Sequence, residues 1–118
     1  MLSTTSVSCV RGTASPVEAA YGSKVKFKEG RALRLPDFEL TYRGRRRVTP
    51  PQYPRGWWVD DFKVRAGSSE QTVSWSAGTG DIGPVQFRVG ATLFQIELVR
   101  SDKLGPLTKD ELVVSNVN

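Results

Sequence analysis

Apolar and polar residues alternate along most of this chain, and a period of two marks strands with one buried face. Val85, Phe87 and Val89 alternate with Gln86 and Arg88; Phe94, Ile96 and Leu98 alternate with Gln95 and Glu97. Gly90-Ala91 separates the two runs, and glycine at the first central position suits a two-residue type II′ turn. Joined there, the runs form an antiparallel hairpin with Phe87 opposite Phe94. Every large apolar residue in it except Leu93 and Val99 then falls on one face.

The same period predicts strands elsewhere. Val25 and Phe27 alternate with lysines between Lys24 and Lys28, and Glu29-Gly30 then turns the chain. Ala32 to Leu35 is a short strand stopped by Pro36, which has no N–H for a ladder. Phe38, Leu40 and Tyr42 share a face over Phe38 to Arg43. Trp57 to Arg65 follows, with Phe62 and Val64 on one side, Lys63 and Arg65 on the other, and a break at Asp60-Asp61 that suggests a bulge or a late start. Ala66 to Glu70 is a hairpin loop into Gln71 to Ser76, where Val73 and Trp75 point the same way. Ser101 to Lys109 is a polar Gly-Pro loop, and Glu111 to Val117 a last strand.

Five to eight short strands with no long amphipathic helix predict an all-β fold, a small antiparallel β-barrel or β-sandwich. Residues 1–20 are rich in Ser, Thr, Ala and Gly without sustained periodicity, and are expected to form a flexible N-terminal tail. Residues 21–118 then make a single β domain, in keeping with a chain of 118 residues. No apolar run approaches the ~20 residues of a membrane-spanning helix. The first residues have neither a basic nor an apolar signal-peptide region, which suggests a cytoplasmic protein or an exported one lacking its signal. Cys9 is the only cysteine, so neither an internal disulfide nor a structural zinc site is expected. A lipidated Cys9 would want an aliphatic residue where Ser6 stands; a free thiol is the better reading.

Charge changes this picture in one region. The chain carries a formal net charge of +5, yet residues 24–65 hold 12 Lys and Arg against 5 Asp and Glu, leaving 5 against 7 elsewhere. Such polarisation favours an anionic partner. Within that region, Tyr42 to Trp58 concentrates five arginines, three prolines and four aromatic rings. The candidate binding residues are Tyr42, Arg43, Arg45, Arg46, Arg47, Tyr53, Arg55, Trp57 and Trp58, read as a basic, proline-stiffened loop between two strands. Trp, Tyr and Arg are the commonest interface anchors, so the expected function is non-catalytic binding of a protein or glycan partner. The alternative is a nucleic-acid-binding small barrel, since cations beside stackable rings also suit phosphate and bases. As exposed side chains, Arg45, Arg46 and Arg47 should contribute little to stability.

Other motifs lack their context. Gly78 to Gly83 matches G-x-G-x-x-G, but Pro84 and a strand pattern follow where a pyrophosphate-binding helix is needed. Lys109 to Leu112 spells an ER-retention signal away from a C-terminus. Thr108 and Glu111 have capping-box spacing, but the β-branched pair Val113-Val114 argues against a helix. Pro51 and Pro54 give a short P-x-x-P spacing of low specificity. With no histidine there is no Ser-His-Asp triad and no imidazole base, and no cofactor is expected. A carboxylate enzyme or cation site would have to use Asp60, Asp61, Asp37, Glu39 or Asp81, and Asp60 and Asp61 should point to opposite faces of a strand.

Overall fold

The hairpin predicted around Gly90-Ala91 forms in register: Phe87 pairs with Phe94, and Gly90 takes a φ of 61°. Its strands are β7 (Val85–Val89) and β8 (Thr92–Glu97) in a computed structural model that describes residues 15–76 and 84–117. The protein is all-β. The earlier strands are β1 (Val17–Glu18), β2 (Val25–Lys26), β3 (Ala32–Arg34), β4 (Glu39–Val48), β5 (Trp57–Ala66) and β6 (Ser69–Ser76). After the hairpin come β9 (Arg100–Ser101), β10 (Gly105–Pro106) and β11 (Glu111–Asn116).

One sheet has the order β1-β3-β4-β5-β6, a second β2-β11-β8-β7, and among the described residues β9 pairs only with β10. The two larger sheets face each other as an open, sandwich-like pair and do not close into a barrel. Leu40, Phe62, Val64 and Trp75 from the first share one core with Phe94, Ile96, Leu112 and Val114 from the second. Phe38 bridges them, its ring edge-on to both Phe87 and Phe94 at centroid distances of 5.4 and 5.0 Å. Alternation produces this directly, because each strand offers the shared interior its apolar side.

Three expectations need correction. The tail expected over residues 1–20 does not extend through Glu18: β1 pairs in parallel with β3, and Ala19 N–H donates to Arg34 O at 2.9 Å. Val17, Ala19 and Tyr21 pack against the core, so burial outweighs the weak local pattern. Residues 1–14, Cys9 included, lie outside the described residues.

The basic stretch is the second correction. Arg43 to Arg47 belong to β4, and only residues 49–56 connect it to β5. Third, the bulge is on β4, not at Asp60-Asp61. Tyr42 pairs with Phe62 and Gly44 with Asp61, which leaves Arg43 as the extra residue, and Gly44 adopts a φ of 107°. An inserted residue reverses which side chains face inward.

Candidate functional site: the basic hairpin and the cleft at its base

That reversal assembles the site. Without the bulge Arg46 would follow Tyr42 on the inner side of β4; with it, Arg45 and Arg47 do, opposite Asp60 and Trp58. Asp60 is buried, and its carboxylate accepts three hydrogen bonds from the described residues. Tyr42 Oη donates to Oδ1 at 2.7 Å, Arg45 Nε to Oδ1 at 3.1 Å, and Arg45 Nη2 to Oδ2 at 3.2 Å. Burial, and then the hydrogen bond to Asp60, push the Tyr42 hydroxyl above its usual range, so it stays protonated as a donor. The hydrogen bond to Asp60 likewise raises Arg45.

The outer face holds a matching pair. Arg46 Nε and Nη2 donate to Asp61 Oδ2 and Oδ1 at 2.7 and 3.3 Å, and Ser74 Oγ donates to Oδ1 at 2.6 Å. Asp60 and Asp61 thus point to opposite faces, as alternation requires. The Arg46 hydrogen bond, reinforced by Ser74, holds the Asp61 carboxyl below its usual range although partial burial opposes this. A carboxyl lowered on folding stabilises the fold above its unfolded value of about 4, and that contribution is lost as pH falls through the folded value. Asp61→Asn should therefore cost about 0.5–1.5 kcal/mol at neutral pH. The gap between wild type and variant should close towards about pH 2. Urea titrations along that pH series check it; a constant gap would show that ionisation of Asp61 contributes nothing.

Past these pairs the hairpin outruns its neighbours. β3 pairs only as far as Thr41, and among the described residues β6 pairs only as far as Val59. Trp57 and Trp58 therefore sit at an end with no flanking strand among the described residues. Trp58 is 50% exposed and Tyr53 58%, while Trp57 is half-buried. The Arg47 guanidinium lies over the Trp58 ring, 5.3 Å from its centroid, and Nη2 donates to Arg55 O. Tyr53 meets Trp57 edge-on at 5.8 Å. The connection is built from tight turns, with Tyr53 N–H donating to Pro50 O at 2.9 Å and Gly56 N–H to Tyr53 O at 2.8 Å. Gly56 has a φ of 65°, and a Cβ there would overlap the Val48 carbonyl oxygen, so only glycine closes this end. Arg43, Arg47 and Arg55 have no carboxylate partner among the described residues.

The nine candidate residues thus divide. Tyr42 and Arg45 serve Asp60 at the base and Arg46 serves Asp61, whereas Arg47, Tyr53, Arg55, Trp57 and Trp58 gather at the end. Arg43 is exposed at the bulge. The carboxylates proposed for catalysis stay apart. Asp37 accepts the Tyr21 hydroxyl at 2.6 Å, and Glu39 pairs with Arg34 at 3.6 Å. No group of three potential metal ligands occurs among the described residues, which exclude the whole Gly78–Gly83 motif, Asp81 included.

Sequence reasoning missed a cleft of about 240 Å³ at the base of the hairpin. Tyr42, Arg45, Asp60 and Trp75 line it on the side of the first sheet, and Leu98, Val99, Leu107 and Lys109 on the other. Val99 has a φ of 71°, an outlier for a β-branched residue. Arg100 N–H donates to Leu98 O at 2.7 Å across it, closing a three-residue turn, and Leu107 N–H ties down Val99 O at 2.9 Å. Such a conformation costs on the order of 1–3 kcal/mol and persists only where its surroundings enforce it. Beside it Glu111 Oε1 accepts the Thr108 N–H at 3.0 Å. This is one arm of a capping box, here leading into strand β11 and not a helix. Compared with protein-family models, with curated proteins and with solved structures, the chain matches none of them.

Proposed function

We propose that this protein is a binding module whose contact surface is the outer end of the β4–β5 hairpin, and that its partner is a protein presenting acidic and apolar side chains together. One observation carries the reading: Trp58 stands half exposed beneath the Arg47 guanidinium, at an end that no other described strand covers. An exposed aromatic beside a guanidinium with no carboxylate partner among the described residues has the composition of an interface hot spot. The turns around Gly56 and the Arg47–Arg55 contact preorganise it, which lowers the ordering cost on binding.

Two features favour protein over the other partners. Arg45 and Arg46 spend their forks on Asp60 and Asp61, which removes two cations from any phosphate-binding surface and places carboxylates beside it. Arg47 covers one face of Trp58, which leaves less flat ring for a sugar.

Peptides selected against the whole protein from a random display library test the reading. The enriched sequences should combine acidic and apolar residues. Trp58→Ala should weaken a selected peptide roughly thirtyfold, the loss of about 2 kcal/mol typical of a hot spot. Arg46→Ala should stay within about threefold. Binding indifferent to Trp58 would refute the proposal. Tighter binding of random single-stranded oligonucleotides, falling steeply with salt, would replace it with the nucleic-acid reading.

A further inference from the structure

The outer face of the second sheet carries a buried carboxylate without a counter-charge. Alternation along β8 turns Phe94 and Ile96 into the core, and Gln95 and Glu97 outward. The turn between β9 and β10 lies against Glu97 and leaves it only 4% exposed. Asp102 N–H donates to Glu97 Oε2 at 3.0 Å, and Leu104 N–H donates to the buried Ser101 Oγ at 3.3 Å. Asp60 offers an internal standard, because it is equally buried. Described residues give Asp60 three hydrogen bonds, two of them from an arginine. They give Glu97 one, from a backbone N–H, and no ion pair. A buried carboxylate is strongly unfavourable unless a cation or several donors compensate it.

The second oxygen of Glu97 is within reach of a ligand. Among the described residues, the only side-chain N and O atoms both shielded and unpaired are Arg31 Nε and Trp75 Nε1. Glu97 Oε1 takes no hydrogen bond from described residues and is neither of these, so it keeps accessible surface. Glu97 lines a cleft of about 180 Å³ on this outer face. Leu104 and Val117, 39% and 40% exposed, line it too, as does Val113, the cross-strand partner of Glu97. Gln95 and Ser115 pair across the same two strands and add two neutral oxygen acceptors to the lining.

These features define the ligand. An ammonium has three donors and no acceptor, which matches one free carboxylate oxygen flanked by neutral acceptors. The apolar walls call for a short hydrocarbon body behind it. A metal ion fits poorly, because calcium takes about six to eight oxygens and no group of three potential ligands occurs among the described residues. Asp102 at the rim offsets the exposed Lys103 beside it.

We propose that this cleft binds a small primary alkylamine, its ammonium donating to Glu97 Oε1 and its alkyl chain lying against Leu104, Val113 and Val117. The site belongs to the other sheet from the basic hairpin, so either reading can fail alone.

The probe is n-butylamine, charged at neutral pH, with n-butanol as its neutral counterpart of equal size. The Asp102 amide resonance in ¹H–¹⁵N spectra of the whole protein reports the site, because its N–H is bonded to Glu97. Butylammonium chloride should shift it in a saturable way, beyond the effect of sodium chloride at equal ionic strength, and leave the Trp58 indole in place. The alcohol should bind roughly tenfold more weakly or not at all, because it brings no charge to the carboxylate. Glu97→Gln removes the charge and keeps a side-chain oxygen for Asp102, and should weaken butylamine roughly tenfold. If that variant does not fold, the comparison of amine and alcohol on the wild type decides. No saturable Asp102 shift by about 0.1 M, where a millimolar complex is already saturated, would overturn the proposal. So would equal binding of n-butanol, or a response to calcium chloride in place of the amine. Tighter binding of Nα-acetyllysine methylamide than of butylamine would overturn it in favour of a lysine side chain of another protein.

Discussion

Phe94→Ala is expected to cost about 3–5 kcal/mol, the range for truncating a buried aromatic ring. Phe94 is fully buried between the two larger sheets. Its ring lies 5.3 Å from that of Tyr21, 5.0 Å from Phe38 and 6.0 Å from Phe87. Those rings belong to three separate parts of the chain, so a cavity at Phe94 removes contacts to all of them at once, and a framework of paired strands cannot collapse to refill it. Because domains of this size are stable by only about 5–15 kcal/mol, the loss is a large fraction of the total. A denaturant titration measures it. A cost below about 1 kcal/mol would mean that the interior between the sheets is loosely packed at this point.

The same hairpin shows what alternation makes legible. Two runs of period two and a glycine at the turn specify Phe87 opposite Phe94, and no tertiary information is needed to read that. Even its exceptions carry meaning: Val99, which breaks the pattern, is the residue at positive φ on the rim of the cleft. The bulge was harder to place. Asp60-Asp61 looks irregular because an acid stands where an apolar residue is expected, yet β5 runs straight through it. The irregularity lies across the ladder at Arg43, where Gly44 admits the required φ. Local pattern cannot distinguish an interrupted strand from a polar residue that answers an arginine on its neighbour. β1 was missed for a related reason, since two residues carry no readable period and only their packing against Leu33 and Arg34 makes them a strand.

The site was legible as composition and not as arrangement. Tyr42 to Trp58 does hold the exposed aromatic end, but its arginines have different tasks that depend on register. The cleft left no trace in the sequence, because Trp75, Leu98 and Leu107 converge only when the segment after β8 crosses the end of the first sheet.

Register also separates the arginines energetically, against the expectation that all three are dispensable exposed charges. Arg45→Ala is expected to cost about 2–3 kcal/mol, well above a surface pair, because it leaves a buried carboxylate without its cation. The Asp60 side chain is only 6% exposed and Asp61 20%, whereas both guanidinium partners stand 56% exposed. Water reaching Arg45 keeps the figure below that of a fully buried pair, and Tyr42 continues to donate to Oδ1 in the variant. Arg46→Ala should cost about 1 kcal/mol or less, since Asp61 keeps Ser74 and is partly hydrated. A double-mutant cycle isolates the cause. In an Asp60→Asn background the buried charge is gone while an oxygen remains for Tyr42, so adding Arg45→Ala should then cost no more than about 0.5 kcal/mol. If Arg45→Ala costs the same in both backgrounds, the loss comes from packing of the arginine stem along β4 and not from Asp60. If it costs less than about 1 kcal/mol in the wild-type background, Tyr42 and solvent suffice to hold the Asp60 carboxylate, and the bulge at Arg43 has no electrostatic role in the fold.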